Sequence, residues 1–166
     1  MTKLVRSDLL HHRLAIPRLV AAVSLLAVGA VHLQQYIVRY YRVIPTIGPL
    51  FLLNFIAATL LGLYLLVPAR ARVSRVRLLA DTTVALSGLG VAAGGLVALI
   101  ISEHAPLFGF MEHGYRFAIV FTIASEVVAI LALGVFLALS LAASRKRDSG
   151  RPSPAAPPTV APLTES

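Results

Sequence analysis

The sequence has no cysteine and no tryptophan, only 7 acidic residues, and a charged fraction of 13% over 166 residues. The missing cysteine excludes disulfides, iron–sulfur clusters, thiolate zinc sites and a cysteine nucleophile. A soluble domain averages about 25% charged and roughly 45 to 50% apolar residues. This chain departs from both, with 58% apolar. The shortage of acid leaves a formal net charge of +8. The basic residues nevertheless sit in short clusters between long apolar runs, without a folded basic platform, so nucleic acid is not the partner. Also missing are a Walker loop, a GxSxG elbow, an HExxH pair and a dinucleotide fingerprint, and no enzyme class declares itself.

What is there is apolar and long. Four runs, over residues 19–36, 47–67, 78–101 and 117–143, are nearly free of charge. A hydrocarbon core about 30 Å thick takes roughly 20 helical residues. The runs are continuous rather than alternating, which excludes barrel strands, and in lipid every backbone group must be paired within its own segment. The expected fold is all-α: a polytopic membrane protein with four transmembrane helices in an antiparallel bundle. A basic segment over residues 1–18 precedes it. A basic and then proline-rich tail over residues 144–166, which cannot bury a core, follows it. A cleaved signal peptide ending near Ala30 is the alternative for the first run, but apolar residues continue through Leu33, Ile37 and Val38.

Basic residues mark the cytoplasmic side of inserted helices. Twelve of the 15 Lys and Arg lie before the first run, between the second and third, or after the fourth; only Arg39, Arg42 and Arg116 lie on the opposite side. Both termini are therefore expected in the cytoplasm, with the basic flanks attracted to anionic lipid headgroups. Pro45, Gly48 and Pro49 predict a tight hairpin between the first two helices. The connection over residues 102–116 is the longest.

Helices in lipid associate through close packing, which small side chains permit. Ser87, Gly90 and Gly94, with Thr83 and Ala98, recur at three- and four-residue spacing in the third run. That face is expected to be central, packed within the bundle or forming the seam of a homo-oligomer. Asp81, four residues after Arg77, is placed for a helix-face ion pair.

Polar residues inside the runs gather in the outer half. His32 and Gln35 lie near the outer end of the first run, Asn54 lies one to two turns into the second, and Glu126 lies about nine residues, roughly 14 Å, into the fourth. Intramembrane ionisable residues are costly in lipid and face inward. His32, Gln35, Asn54 and Glu126 are therefore expected to form one cluster, serving either hydrogen bonding between helices or ligand and proton chemistry. The outer loop repeats Glu103-His104 as Glu112-His113. With His32 these could supply ligands to haem or a divalent metal, although the spacing matches no established metal motif. Ten of the twelve aromatics lie on the same side, as an interfacial belt or a pocket lining.

VHLQQY over residues 31–36, followed by YYRVIPTIGPLFLLNF over residues 40–55, resembles small uncharacterised four-helix membrane proteins of high-GC bacteria, DoxX-like in size and layout. The resemblance covers about residues 16–143 and implies a compact protein of the bacterial plasma membrane. Three functions stay open at this point. The first is a non-enzymatic membrane module or accessory subunit, with a partner membrane protein or a second copy of itself. The second is a haem-, metal- or quinone-linked redox protein using His32 and the outer-loop histidines. The third is an oligomeric transport element using Glu126.

Overall fold

The computed structural model of the chain describes residues 2–39, 41–68, 75–111 and 117–148. Four helices account for nearly all of them: α1 (Thr2–Val38), α2 (Ile47–Leu66), α3 (Arg75–His104) and α4 (Phe117–Asp148), with a single 3-10 turn at Tyr41–Val43 between α1 and α2. Among the described residues there is no strand. Each helix contains a segment long and apolar enough to cross a membrane, Leu14–Val38, Ile47–Leu66, Val76–His104 and Phe117–Arg145. The helices outrun the apolar runs at several ends, and α1 continues through Pro17. A run of apolar residues stops at the first charge, whereas helical hydrogen bonding carries on into the flanking polar residues. Residues 69–74, Glu112, His113 and the tail from residue 149 lie outside the described residues.

Neighbouring helices pair in fixed registers. Gly29 of α1 lies against Phe55 and Thr59 of α2, and Leu26 and Ala22, nearer the start of α1, lie against Gly62, nearer the end of α2. Likewise Gly88 of α3 meets Leu133 of α4, and Gly95 meets Glu126. In both pairs the partner's number falls as the helix's own number rises. α1 packs along α2 and α4, and α3 packs along α4; α2 and α3 pack more loosely, and α1 barely touches α3. The core consists of Ala21, Ala22, Leu25 and Val28 of α1 with Ala58, Leu65, Ala85, Ala92, Ala129, Ala132, Leu133 and Phe136.

Within the single chain the Ser87, Gly90 and Gly94 face of α3 is not the central one. α1 is the enclosed one, with 44% of its apolar span buried against 17% for α3. Ser87, Gly90 and Gly94 do not seat α3 within the bundle. All three are exposed, and a Cβ built on Gly90 or Gly94 meets nothing within 4 Å. The seam with α4 uses a neighbouring stripe of small residues instead. Ala85 and Ala92 are fully buried, and a Cβ on Gly88 would come within 2.9 Å of Leu133. Gly95 continues that stripe at the same heptad-like spacing.

The helix ends that carry the basic clusters are tied by polar contacts. Arg18 of α1 is 8% exposed. Its Nε donates to the Leu65 carbonyl at 2.8 Å, and its Nη2 donates to the Val67 carbonyl at 2.8 Å and to that of Tyr64 at 3.4 Å. The last carbonyls of a helix have no partner within it, so the guanidinium of α1 closes the end of α2. Tyr64 in turn donates its hydroxyl to Asp81 Oδ1 at 3.0 Å. The i,i+4 pair of Arg77 and Asp81 forms at 3.7 Å.

The outward surface is apolar around the bundle, with Val23, Leu53, Leu60, Leu79, Val97 and Leu131 all exposed. Monomeric soluble proteins rarely leave so much contiguous apolar surface uncovered. Acyl chains cover such a surface at no cost.

Candidate functional site: a lateral cavity between α2 and α3

Because α2 and α3 diverge away from the Tyr64–Asp81 contact, a cavity of about 480 Å³ opens between them, toward the end that carries the 3-10 turn. Gly90, Gly94, Gly95 and Ala98 form its α3 wall, and Leu50, Phe51, Leu53, Asn54 and Ala57 form its α2 wall. Within the single chain the small-residue stripe singled out in the third run thus lines a cavity rather than a seam between its helices. α1 supplies Val31, His32 and Gln35 at the back, and α4 supplies Ala118, Ile119 and Thr122.

Its upper end is covered by aromatics. Leu107 and Phe110 exchange backbone hydrogen bonds of 2.8 and 2.9 Å across a two-residue turn. Phe108 at φ 50° and Gly109 at φ 80° occupy the left-handed region that such turns require. The turn lays Phe110 edge-on against Tyr41, with ring centroids 5.2 Å apart; Tyr41 packs on Phe51 at 5.0 Å, and Phe51 on His32 at 5.1 Å. Some of the aromatics on this side therefore line a pocket. Phe117 and Phe121 instead stack at 6.1 Å and stay exposed, as a belt residue does.

The polar groups in the lining are few and specific. His32 and Gln35 are each 7% exposed. His32 Nδ1 lies 2.8 Å from the Val28 carbonyl. A carbonyl only accepts, so Nδ1 carries the proton, and Nε2 of the neutral ring is an acceptor turned away from α1. Ser102 and Thr122 donate their hydroxyls to the Leu99 and Ala118 carbonyls at 2.8 Å each, which leaves their oxygens as acceptors. The Gln35 side chain completes the polar part of the lining.

Glu126 is 0% exposed and does not line the cavity; it lies behind Gly95, in the wall. A Cβ at Gly95 would collide with Glu126 Oε1 and would come within 3.3 Å of Asn54 Nδ2, so glycine alone lets the two side chains meet there. Neither Glu126 oxygen, nor Asn54 Oδ1, has a hydrogen-bond partner among the described residues. The structure thus puts His32, Gln35 and Asn54 around one cavity, with Glu126 next to Asn54. A buried carboxyl without a partner carries a desolvation cost. Glu126→Leu is accordingly expected to raise stability in detergent by roughly 1 kcal/mol or more. A thermal melt that falls would show that the carboxyl has a partner.

The described members of the proposed ligand set, His32, Glu103 and His104, do not come together. His104 is exposed at the end of α3, with Nδ1 held 2.8 Å from the Ile100 carbonyl, and Glu103 is partly buried on the same turn. Neither lines the cavity with His32. Among the described residues no three His, Asp or Glu side chains come together to hold a metal ion; Glu112 and His113 lie outside them. Sequence reasoning missed Ser102 and the roles of Leu107 and Phe110, since nothing local shows that the outer loop folds back over the helices. No protein-family model matches the chain, and no curated protein or solved structure shows a significant likeness to it, so the resemblance to DoxX-like proteins goes no further than small size and four apolar helices.

Proposed function

We propose that this chain is a four-span, antiparallel helical module of the bacterial plasma membrane, with both termini in the cytoplasm. It works by binding within the membrane, as an accessory element of a larger assembly or of its own oligomer, rather than by catalysis. The observation that carries this reading is the half-open, mostly apolar cavity between α2 and α3, with its few amide, hydroxyl and imidazole groups. Such a lining orients a ligand and offers no activated nucleophile. The apolar outer surface and the twelve-to-three distribution of basic residues support the membrane location and its orientation.

Cysteine labelling tests the orientation. Ala105→Cys should react with an impermeant thiol reagent in intact cells, and Ser74→Cys should react only after permeabilisation. Ala105 suits the purpose better than Gly109, whose φ of 80° disfavours a side chain. The reverse labelling pattern would overturn the topology. Gentle solubilisation of the native assembly, with mass spectrometry and a visible spectrum, tests the activity class. A haem or flavin band that co-purifies in stoichiometric amount would replace the binding reading with a redox one.

A further inference from the structure

The polar groups of the cavity have an uneven donor and acceptor count, and that imbalance selects a ligand. His32 Nε2 in the neutral ring, Ser102 Oγ and Thr122 Oγ1 are acceptors, because each has its proton, or the proton of its ring partner, committed to a backbone carbonyl. The amides of Gln35, nine-tenths buried, and of Asn54 are the groups left to donate. A ligand head that both donates and accepts fits such a site, and a head that only accepts leaves His32 Nε2 unpaired.

No Lys or Arg lines the cavity, so nothing within it would neutralise a phosphate. Its mouth is on the apolar surface, where Leu50 and Leu53 of α2 face Gly90 and Gly94 of α3, and all four are exposed. A volume of about 480 Å³ lies within the range of ligand pockets, roughly 300 to 1,000 Å³.

We infer that this cavity binds an uncharged, hydroxyl-headed lipid. Its hydroxyl donates to His32 Nε2 and accepts from the Gln35 amide, and its hydrocarbon chain leaves between Leu53 and Gly94 into the bilayer. The inference rests on the membrane reading above. Phe51 and Tyr41 close the cavity over the head, and Phe110 of the outer turn covers them, which keeps bulk water from competing for the two hydrogen bonds.

The test uses the full-length protein in phosphatidylcholine nanodiscs and a hexadecanol that carries a diazirine in its chain. Photolabelling should map to residues 50–57 and 90–99. Octadecanol should displace the probe at least tenfold better than octadecyl methyl ether, which cannot donate. Gly94→Leu, whose side chain enters open space, should lower labelling at least fivefold with an unchanged melting temperature. Gln35→Leu and His32→Phe should do the same, and the second of these keeps a ring against Phe51. Equal competition by the ether, or labelling indifferent to all three variants, would reduce the site to a groove filled by any acyl chain and would overturn the inference. Stronger competition by octadecylamine would overturn it in favour of a cation drawn to Glu126. Loss of a cross-linked dimer in Gly94→Leu, with labelling intact, would overturn it in favour of a second copy seated on α3. Failure of the membrane reading itself would look different: extraction of the protein from membranes by alkaline carbonate.

Discussion

Gly62→Leu is expected to lower the melting temperature in detergent more than any other single change in the helix packing. A Cβ on Gly62 would stand 2.9 Å from Leu26 Cγ and 3.1 Å from the Ala22 carbonyl oxygen, and on the facing helix a Cβ on Gly29 would stand 2.8 Å from Thr59 Oγ1 and 3.3 Å from the Phe55 carbonyl oxygen. The two backbones therefore approach as closely as glycine allows, from both sides. In lipid, apolar burial contributes little to helix association, and close packing carries it. Pushing the helices apart thus removes the main source of cohesion between them. Overpacking of this kind costs about 1 to 3 kcal/mol where the neighbours can shift. Here the neighbours include backbone, and the doubly substituted Gly29→Leu/Gly62→Leu protein should not accumulate in the membrane. Gly134→Leu is the matched control, since a Cβ there meets nothing within 4 Å; its melt, followed by size-exclusion chromatography, should match that of the parent. Equal melts for Gly62→Leu and Gly134→Leu would show that α1 and α2 can separate without loss.

Arg18→Leu should be nearly as damaging, for an electrostatic reason. The guanidinium bonds to the carbonyls of Leu65, Val67 and Tyr64 at the end of α2, where the helix dipole favours a cation. Leucine leaves the Leu65 and Val67 carbonyls without this donor, while the Tyr64 carbonyl keeps the Val67 N–H; hydrogen bonds to charged groups are worth about 1.5 to 3 kcal/mol each. Arg18→Lys should recover part of the loss. A lysine ammonium keeps the charge but cannot span three carbonyls with the fixed fork of a guanidinium. Arg18 also belongs to the basic set that orients the protein, so the Ala105→Cys label must be read in the same variants. A lower melt with unchanged labelling identifies the cap as the cause. Unchanged melting in Arg18→Leu would mean that these carbonyls are satisfied by water at the membrane surface.

Much was legible in the sequence because it follows from length and charge alone. The four helices appear where the apolar runs predict them, and Pro45 falls in the break between α1 and α2 while Gly48 and Pro49 open α2, since proline and close backbone approach are local constraints. The i,i+4 pair of Arg77 and Asp81 was readable for the same reason: one helix holds both partners. His32, Gln35 and Asn54 could be named as the unusual polar residues because each is expensive in lipid wherever it points. Arg18 was legible only as one positive charge among twelve, for its partners are 46 to 49 residues away in sequence.

The third helix shows the limit most clearly. It carries two stripes of small residues, one through Ser87, Gly90 and Gly94 and one through Ala85, Gly88, Ala92 and Gly95, and both satisfy the spacing that close packing needs. Periodicity assigns each residue to a face and says nothing of which face meets a partner. The partner's side chains make that choice: Leu133 and Leu25 fill the space that Gly88 leaves, and Glu126 fills the space left by Gly95. Once α3 is seated that way, the other stripe has no helix to meet, and α2, held to α1 by Gly29 and Gly62, is too far to cover it. By itself the sequence determined how many helices there are, how long they are and which residues are costly in lipid, because those properties belong to single segments. Only the tertiary structure decided that α1 is enclosed, that the glycines of α3 line a cavity, and that His32 and Gln35 face it, because each of those depends on the rotation of one helix against another.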